Sequence, residues 1–444
     1  MAFETLAAFF AEPVKAREQI IRSLGPFKAP IPLSGSSFFI HLSELCPVAC
    51  EHCMYSSDLT SKSLKDALDK EDLEDALCFI DESHSQKLNI TGGGEPFLKF
   101  GNILRLVEAA KVPVIEIVTA GHWAKTQQRA TTVLRQLGEA GQRNGELREL
   151  RLRLSLDRYH VGAPRPVLLE YYANVARAWA SNSEVIGLGF RSIQPDRAVL
   201  DAALAQLLGG HTEVINDWNH VIVFGDNKRL PITFNVMRFS GKAEDLHDSE
   251  ELSTNSMTIK EYYTPFERAP GRLNLATTVN DAIKSTYTVS EGVAITLNSD
   301  GTYWIFSGTS PERKLKLGTL SFQESVAYFF EDPITRFLVD DGIWALAEMV
   351  KRLDLALHDR AFLKNDVAFL VEDLLANARI RLAVTVWILK RMIDRGDAGG
   401  SSLPIISTLC KSREEDLLSR LTEELSRKEP FDVVSRNRRS TRVV

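Results

Sequence analysis

Two hydrophobic patterns alternate along the first 240 residues of the chain. Six short apolar runs have the composition and length of strands, namely residues 36–43, 87–93, 114–121, 149–157, 184–193 and 231–239. Apolar residues at spacings of three and four, typical of helices, fill the segments between them, namely residues 64–83, 100–111, 125–141, 164–181 and 196–210. Repetition of strand and helix predicts an α/β fold with a parallel sheet, here a partial (β/α)6 TIM-like barrel.

After residue 240 this alternation stops, and the change sets the predicted domain boundaries. Residues 291–308 have the pattern of a hairpin that turns at Ser299-Asp300-Gly301, and residues 322–395 are strongly helical. The predicted domains are an N-terminal helical extension (1–34), the barrel (35–245), a linker and β-hairpin region (246–321), a mainly helical C-terminal region (322–430) and a basic tail expected to be flexible (431–444).

Composition narrows the classes of function. The chain has 444 residues, of which 53 are basic and 59 acidic, so its formal net charge of −6 does not favour nucleic-acid binding. It contains no apolar stretch of the roughly 18 residues that a membrane span needs. Glutamates near the N-terminus do not fit a signal peptide. We therefore expect a cytoplasmic protein without a membrane or nucleic-acid partner.

Three of the five cysteines lie close together after the first predicted strand. Cys46, Cys50 and Cys53 have the spacing C-x3-C-x2-C, while Cys78 and Cys410 lie far away. In a reducing compartment such a cluster indicates metal binding or catalysis rather than disulfides. Three thiolates can bind three irons of a cubane cluster, which leaves the fourth iron open to another ligand.

Two other readings of the cysteines remain open at this point. A zinc site would need a second pair of Cys or His ligands at suitable spacing, and the sequence offers none. A thioredoxin-like pair could use Cys50 and Cys53, but it would leave Cys46 without a role.

The cysteine spacing resembles the signature of the radical S-adenosylmethionine (radical SAM) superfamily. The stretch NITGGGEPFL (89–98), after the second strand, is similar to that family's Gly-Gly-Glu-Pro motif, with Gly93, Gly94 and Glu95 in register. The resemblance covers residues 35–245. It implies one 4Fe-4S cluster on Cys46, Cys50 and Cys53, with S-adenosylmethionine chelating the open iron.

The resemblance also implies which residues bind the cofactor. His52, just before the third cysteine, is expected to pack near the adenine, and Gly93, Gly94 and Glu95 to bind the ammonium group. Ser155 and Arg191, at the ends of the fourth and fifth strands, are candidates for holding the ribose and the methionine carboxylate. The alternatives are that Ser155 is an ordinary strand residue and that Arg191 is a surface cation.

The activity implied by the resemblance is radical chemistry. A flavodoxin- or ferredoxin-type donor would reduce the cluster, and cleavage of the cofactor would give a 5′-deoxyadenosyl radical that abstracts hydrogen from the substrate. Asp157, Tyr159 and His160 are the candidate acid and base residues, and a purely structural His160 is the alternative. Cys78, on a helical pattern with Leu77, is predicted to lie in the core.

The substrate is the least determined part of the prediction. The hairpin and the later Leu317-Gly318-Thr319 resemble a SPASM/twitch-type extension whose cysteine is replaced, at Phe306 or Ser307. This favours a peptide or protein substrate and a single cluster. The alternatives are a small metabolite, such as a sugar, nucleoside or amino acid, and a non-enzymatic iron–sulfur or zinc scaffold protein.

Overall fold

The computed structural model describes residues 4–12, 16, 34–60, 67–181, 185–246, 267–269, 272–273, 292–305, 309, 314–397 and 404–426. Two compact units can be distinguished. One combines Met1–Pro30, Phe330–Asp359 and Glu372–Val444, and the other combines Ile31–Phe329 with Arg360–Val371. The predicted flexible tail (431–444) and the replaced cysteine position at Phe306 or Ser307 lie outside the described residues.

A mostly parallel sheet forms the centre of the second unit. Its strands are β1 (Ser34–His41), β2 (Lys87–Thr91), β3 (Val114–Thr119), β4 (Glu149–Ser155), β5 (Gly187–Ile193), β6 (His211–Asn216), β7 (Asn219–Phe224), β8 (Lys228–Asn235), β11 (Gly292–Leu297), β12 (Thr302–Ile305) and β13 (Leu315–Lys316). The strand order is β13-β12-β11-β1-β2-β3-β4-β5-β8-β7-β6. Every pair from β11 to β8 is parallel, and the outer pairs on both sides are antiparallel. A small separate sheet pairs β9 (Glu267–Ala269) with β10 (Arg272–Leu273).

Helices connect the parallel strands, as the alternating pattern predicts. They are α2 (Lys70–Ser83), α3 (Phe100–Ala109), α4 (Gln127–Arg143), the short α5 (Arg158–Val161), α6 (Leu169–Ala180) and α7 (Leu200–Leu207). The six predicted strands correspond to β1 to β5 and β8. The predicted class, α/β with six strand–helix units of a partial barrel, is therefore confirmed.

Side chains on β4 show how the two faces of the sheet differ. Leu150, Leu152 and Leu154 are buried on the face that carries the helices. A Cβ at Gly141 of α4 would lie 3.4 Å from Cδ2 of Leu150. Since successive side chains of a strand point to opposite faces, Arg151, Arg153 and Ser155 lie on the inner face. That face is unusually polar for a barrel interior.

Two features of the sheet differ from the prediction. The hairpin of β6 and β7 is not predicted: it follows β5 in the chain and extends the sheet beyond β8 at one edge. The β11–β12 hairpin turns at the predicted Ser299-Asp300-Gly301, but it does not form a separate region, because β11 pairs in parallel with β1 and extends the barrel sheet. Ser34 pairs with Gly292, 258 positions later, and a pairing at that separation leaves no local signal in the sequence.

The C-terminal part is helical, as predicted. Its helices are α8 (Phe322–Phe330), α9 (Pro333–Asp340), α10 (Ile343–Leu353), α11 (Leu355–Leu363), α12 (Val367–Leu374), α13 (Ala378–Asp394), α14 (Pro404–Lys411) and α15 (Glu414–Ser426). Of the predicted N-terminal helix, the structure describes α1 (Glu4–Ala11). Among the described helices, none has the length and apolar character needed to cross a membrane.

The prediction for Cys78 is wrong. Its side chain is exposed on α2, although Leu77 and Phe79 beside it are buried. The helix has 3.6 residues per turn, so the buried stripe runs through Leu73, Leu77 and Ile80 and leaves Cys78 on the outer side.

Candidate active site

The loop after β1 closes on itself and carries the three clustered cysteines. The amide of Cys46 donates to the carbonyl of Asp58 at 2.8 Å, and the amide of Ser56 donates to the carbonyl of Cys53 at 3.0 Å. Two positive φ angles, 54° at Ala49 and 55° at Ser56, turn the chain. The loop thereby gathers Cys46, Cys50 and Cys53 within one short segment at the carboxyl end of β1.

Backbone amides of this loop point at the sulfur atoms. Ser57 donates its amide to Sγ of Cys53 at 3.3 Å. The pKa of Cys46 is raised by burial, and the amides of Ala49 and Val48 oppose that rise. The pKa of Cys53 is lowered to about 5, mainly by the hydrogen bond from the thiol of Cys50 and also by the amides of Ser57 and Tyr55, against the effect of burial.

That environment fits an iron–sulfur cluster. Iron binds the thiolate, and amide donors near a sulfur stabilise its negative charge. Donation to Cys53 and burial raise the pKa of Cys50. Cluster binding would displace the proton of this thiol. Among the described residues, the other two cysteines, Cys78 and Cys410, are exposed and lie in other parts of the chain.

The Gly-Gly-Glu loop after β2 is docked onto the cysteine loop. The amide of Gly94 donates to the carbonyl of Ser43 at 2.7 Å, and that of Glu95 donates to the carbonyl of Leu45 at 2.9 Å. A Cβ at Gly94 would lie 2.2 Å from the carbonyl oxygen of Leu45, so only glycine fits. The hydroxyl of Ser57 donates to the carbonyl of Gly93. Sequence reasoning misses Ser57, because a lone serine in a loop carries no signal.

Glu95 is held by donors of the protein itself. Its buried carboxylate accepts hydrogen bonds from the amide of Phe97 (3.1 Å), the hydroxyl of Thr119 (2.7 Å) and the amide of Ala120 (2.9 Å). Nδ1 of His122 lies 3.9 Å from Oε2. Glu95 therefore ties the end of β2 to the end of β3, a positioning role that the motif alone does not reveal.

Asp157 organises the end of β4. Its Oδ1 accepts the amides of Tyr159 (3.1 Å) and His160 (3.0 Å), which caps α5. Its Oδ2 lies 2.8 Å from Nδ1 of His160 and 3.4 Å from Nε2 of His52. Burial alone would raise the pKa of Asp157, but the two imidazoles hold it well below its usual range. In turn, burial disfavours charge on His52, yet Asp157 leaves its pKa raised.

The rings around Asp157 form one aromatic cluster. His52 stacks on Tyr159, with ring centroids 4.8 Å apart and planes 20° apart, and meets the edge of His160 at 5.1 Å. Nδ1 of His52 is buried and makes no hydrogen bond among the described residues. The ligand atoms of His52, Asp157 and His160 lie within 4.8 Å of one another, but the carboxylate already serves both imidazoles. The structure thus joins the predicted adenine-packing residue to the predicted acid and base residues.

Ser155 and Arg191 are direct neighbours across β4 and β5. The carbonyl of Ser155 accepts the hydroxyl of Tyr172 at 2.7 Å, and the carbonyl of Arg191 accepts the amide of Leu156 at 2.8 Å. Both residues lie at the carboxyl end of the sheet, the end at which barrel enzymes place their active sites. Their roles in binding a cofactor remain predictions.

The turn after β8 closes the site from the far side of the sheet. Gly241 has a φ of 66°, and a Cβ there would lie 2.4 Å from the carbonyl oxygen of Met54. The amide of Lys242 donates to the carbonyl of Cys53 at 3.0 Å. The turn that follows β8 therefore contacts the cysteine loop that follows β1.

Comparisons with known proteins agree with a cluster site in this region. Residues 35–138 match the family of 4Fe-4S single cluster domains, a range that includes both the cysteine loop and the Gly-Gly-Glu loop. No match was found among curated proteins.

Similar solved structures include native anSMEcpe with bound AdoMet, at 13% identity and a TM-score of 0.39, covering 81% of this chain and 99% of the other. Another is HydG, a maturase of the FeFe hydrogenase, at 13% identity and a TM-score of 0.31, covering 96% of this chain and 98% of the other. Likenesses this distant carry no argument about substrate.

Proposed function

We propose that this chain is a radical SAM enzyme with a 4Fe-4S cluster and S-adenosylmethionine as its cofactors, and that its substrate is a peptide or a protein. The observation that carries the proposal is the β11–β12–β13 extension of the barrel sheet, which adjoins the strand that precedes the cysteine loop.

The extension has the outline found in peptide-modifying relatives, without their cysteines. After the turn at Gly301, with a φ of 80°, the amide of Leu317 donates to the carbonyl of Gly301 at 2.9 Å. Gly318 follows with a φ of 76°. Because the hairpin is part of the sheet, it is well placed to form one wall of a substrate site next to β1.

Cys46, Cys50 and Cys53 would hold the cluster, and the loop amides near their sulfurs fit that role. When bound, the cluster and S-adenosylmethionine supply a 5′-deoxyadenosyl radical that takes a hydrogen atom from an unactivated carbon. His52 would pack near the adenine, and backbone groups of Gly93 and Gly94, with Glu95 behind them, would approach the ammonium. Ser155 and Arg191 would bind the ribose and carboxylate.

His160 is the best candidate for moving a proton. Because Nδ1 of His160 faces the ionised Asp157 at 2.8 Å, Nδ1 carries a proton and Nε2 is left to exchange one with a substrate. Asp157 is the positioning residue for both histidines. Tyr159, stacked on His52, also packs against the apolar cluster of Ile193, Met237, Phe239 and Ala243, which keeps its ring fixed.

The initiation step is tested first, under anaerobic conditions. The protein is reconstituted with iron and sulfide and supplied with S-adenosylmethionine and dithionite, and 5′-deoxyadenosine is measured by mass spectrometry. Wild type is expected to form it, and Cys50→Ala is not. A wild-type protein that holds about four irons per chain but never forms the product, even with cell extract, would contradict the enzyme activity.

The substrate class needs a second experiment. Extract from cells grown in deuterated medium is separated into a peptide and protein fraction and a small-molecule fraction, and each is added to the reconstituted enzyme. Deuterium in 5′-deoxyadenosine marks the fraction that donates hydrogen. Label from the peptide and protein fraction is the expected result, whereas label only from the small molecules would favour a metabolite substrate.

We also propose that a flavodoxin- or ferredoxin-type protein reduces the cluster in the cytoplasm, because the site depends on reduced thiols. Replacing dithionite by flavodoxin, its reductase and NADPH should then sustain formation of 5′-deoxyadenosine. Loss of all activity on this replacement would count against a flavodoxin-type donor.

A further inference from the structure

The inner face of the barrel sheet carries a group of charged residues below the predicted cofactor site, of which Lys87 and Glu116 are buried and Arg153 is half-buried. Nζ of Lys87 on β2 lies 3.3 Å from Oε2 of Glu116 on β3. Nε of Arg153 on β4 lies 3.2 Å from Oε1 of the same carboxylate. Lys87 is 7% and Glu116 5% exposed, so both charges are withdrawn from water. A barrel interior that only needed to be filled would use apolar side chains.

Arg153 has hydrogen-bonding capacity that the described residues do not use. Its Nε and Nη1 atoms are buried and donate no hydrogen bond among them, so the contact with Glu116 is an ion pair only. Nδ2 of Asn89, on β2 beside Glu116, is also buried and donates no hydrogen bond among the described residues, and Asn89 is 4% exposed. Buried donors without an acceptor are rare in native proteins, and a ligand is one of the few reasons to keep them.

The position opposite Arg153 on the neighbouring strand carries no side chain. Its partner on β5 is Gly189, which has no side chain to cover the guanidinium from that strand. A Cβ at Gly189 would meet Cγ of Pro231 at 3.7 Å, an ordinary contact, so packing does not require glycine there. On that side of Arg153 the next side chain is Pro231 of β8.

The net charge of Lys87, Arg153 and Glu116 indicates the chemical class of the ligand. Lys87 and Arg153 face one carboxylate, Glu116, which leaves one positive charge within the trio. That surplus matches a carboxylate with one negative charge better than a phosphate, which carries about −1.5 to −2. Arg153 precedes Ser155 by two residues, which places it about 7 Å deeper in the barrel than the predicted cofactor residues.

We propose that Arg153, with Asn89, binds a carboxylate group of the substrate inside the barrel. The proposal rests on the function proposed above. For a peptide or protein substrate the group would be an Asp or Glu side chain or the C-terminal carboxylate. Arg153 would thereby set how deeply the substrate enters and which carbon lies next to the cofactor.

Binding is tested without turnover on the full-length, cluster-loaded protein. N-acetylalanine, N-acetylalanine amide and inorganic phosphate are titrated at equal ionic strength, and the shift in melting temperature gives an apparent affinity. Wild type should be stabilised by N-acetylalanine and not by its amide. Arg153→Met should weaken that effect at least about tenfold, the loss expected for one charge-assisted hydrogen bond.

Two further variants control the test. Arg151→Met removes an arginine from the same face, but one that pairs with Glu149 (Nη2 to Oε2, 2.7 Å), and should bind N-acetylalanine as wild type does. Arg153→Lys keeps the charge without the planar fork and should bind with intermediate affinity. Arg153→Met is expected to fold, because Lys87 still neutralises Glu116.

Three results would overturn the proposal: equal shifts with the acid and the amide, equal shifts for Arg153→Met and wild type, or a stronger effect of phosphate. None of them depends on cofactor cleavage or on the deuterated fractions. A failure here would therefore leave the proposed function standing, and a failure of that function would show in the cleavage and labelling experiments instead.

Discussion

The carboxylate of Asp157 lies 2.8 Å from Nδ1 of His160, and the same oxygen is 3.4 Å from Nε2 of His52. One buried charge thus orients a ring on the cysteine loop and a ring at the end of β4. His52 immediately precedes Cys53 in sequence, so the carboxylate links the cysteine loop to the predicted acid and base residues at the end of β4. The pKa of Asp157, held well below its usual range by the two imidazoles, keeps that link ionised.

Asp157→Asn should remove the charge that orients both His52 on the cysteine loop and His160 at the end of β4. The amide keeps the size of the side chain but removes the charge that both imidazoles face. We expect 5′-deoxyadenosine formation to fall by about 10–100-fold, the usual effect of losing such a supporting group. Iron per chain should stay at the wild-type value, because none of the three cysteines bonds to Asp157. Parallel loss of iron would show instead that Asp157 is needed to fold the cysteine loop.

The two glycines of the second loop provide a matched pair. A Cβ at Gly94 would lie 2.2 Å from the carbonyl oxygen of Leu45, whereas a Cβ at Gly93 would have its nearest contact, Cγ of Glu44, at 3.6 Å. Gly94→Ala should push the loops apart and lower the iron bound per chain after reconstitution. Gly93→Ala should retain wild-type iron. Equal iron contents in the two variants would mean that the docking of these loops does not support the cluster.

Much of the fold follows from local sequence pattern. The six parallel strands, the helices between them and the turn of the β11–β12 hairpin are all predictable, because periodicity and turn residues act over a few positions. The parallel pairing of β11 with β1 is not predictable in this way, since it depends on the shape of the completed sheet. Cys78 shows a related limit: one position of error on a helix moves a side chain from core to surface.

The residues of the site also fall into two groups, those that local sequence pattern identifies and those whose role is seen only in the folded chain. Motif spacing identifies the cysteines, the glycines and Glu95, whereas the contact between His52 and Asp157 is not predicted and is seen only in the folded chain. The partners of Glu95, Thr119 and Ala120, come from the next strand and become visible only in the folded chain. Arg153 is missed because an arginine in the alternating pattern of a strand reads as a solvated residue.

His41 gives a prediction for pH dependence. Burial lowers its pKa from 6.5 to about 4. The folded chain therefore keeps this ring neutral, while the unfolded chain takes up a proton below its own pKa. The stability that the neutral ring of His41 contributes is fully present above its pKa in the unfolded chain. It is lost as the pH falls toward its pKa in the folded chain. Between about pH 7 and about pH 5 the contribution of His41 to the free energy of unfolding should fall by about 2 kcal/mol.

His41→Phe isolates that contribution. The ring of His41 meets the edge of Tyr55 at a centroid distance of 5.0 Å, a contact that phenylalanine can preserve without titrating. Urea unfolding at the two pH values should show a smaller change for the variant than for wild type. Identical pH dependence of the two proteins would mean that His41 is not held neutral in the folded chain.

Glu95 allows the structural and cofactor-binding roles of one residue to be separated. Three donors converge on its carboxylate, so Glu95→Gln turns one acceptor into a donor that faces another donor. We expect the free energy of unfolding to fall by about 1–3 kcal/mol, measured by urea unfolding. If the carboxylate also neutralises the ammonium of S-adenosylmethionine, the affinity of the reconstituted protein for that cofactor should fall at least about tenfold. Thr119→Val is the control, because it removes one donor and keeps the charge of Glu95. This variant should lose stability and retain affinity for S-adenosylmethionine.

A Glu95→Gln protein that binds S-adenosylmethionine as tightly as wild type would restrict the role of Glu95 to joining β2 and β3.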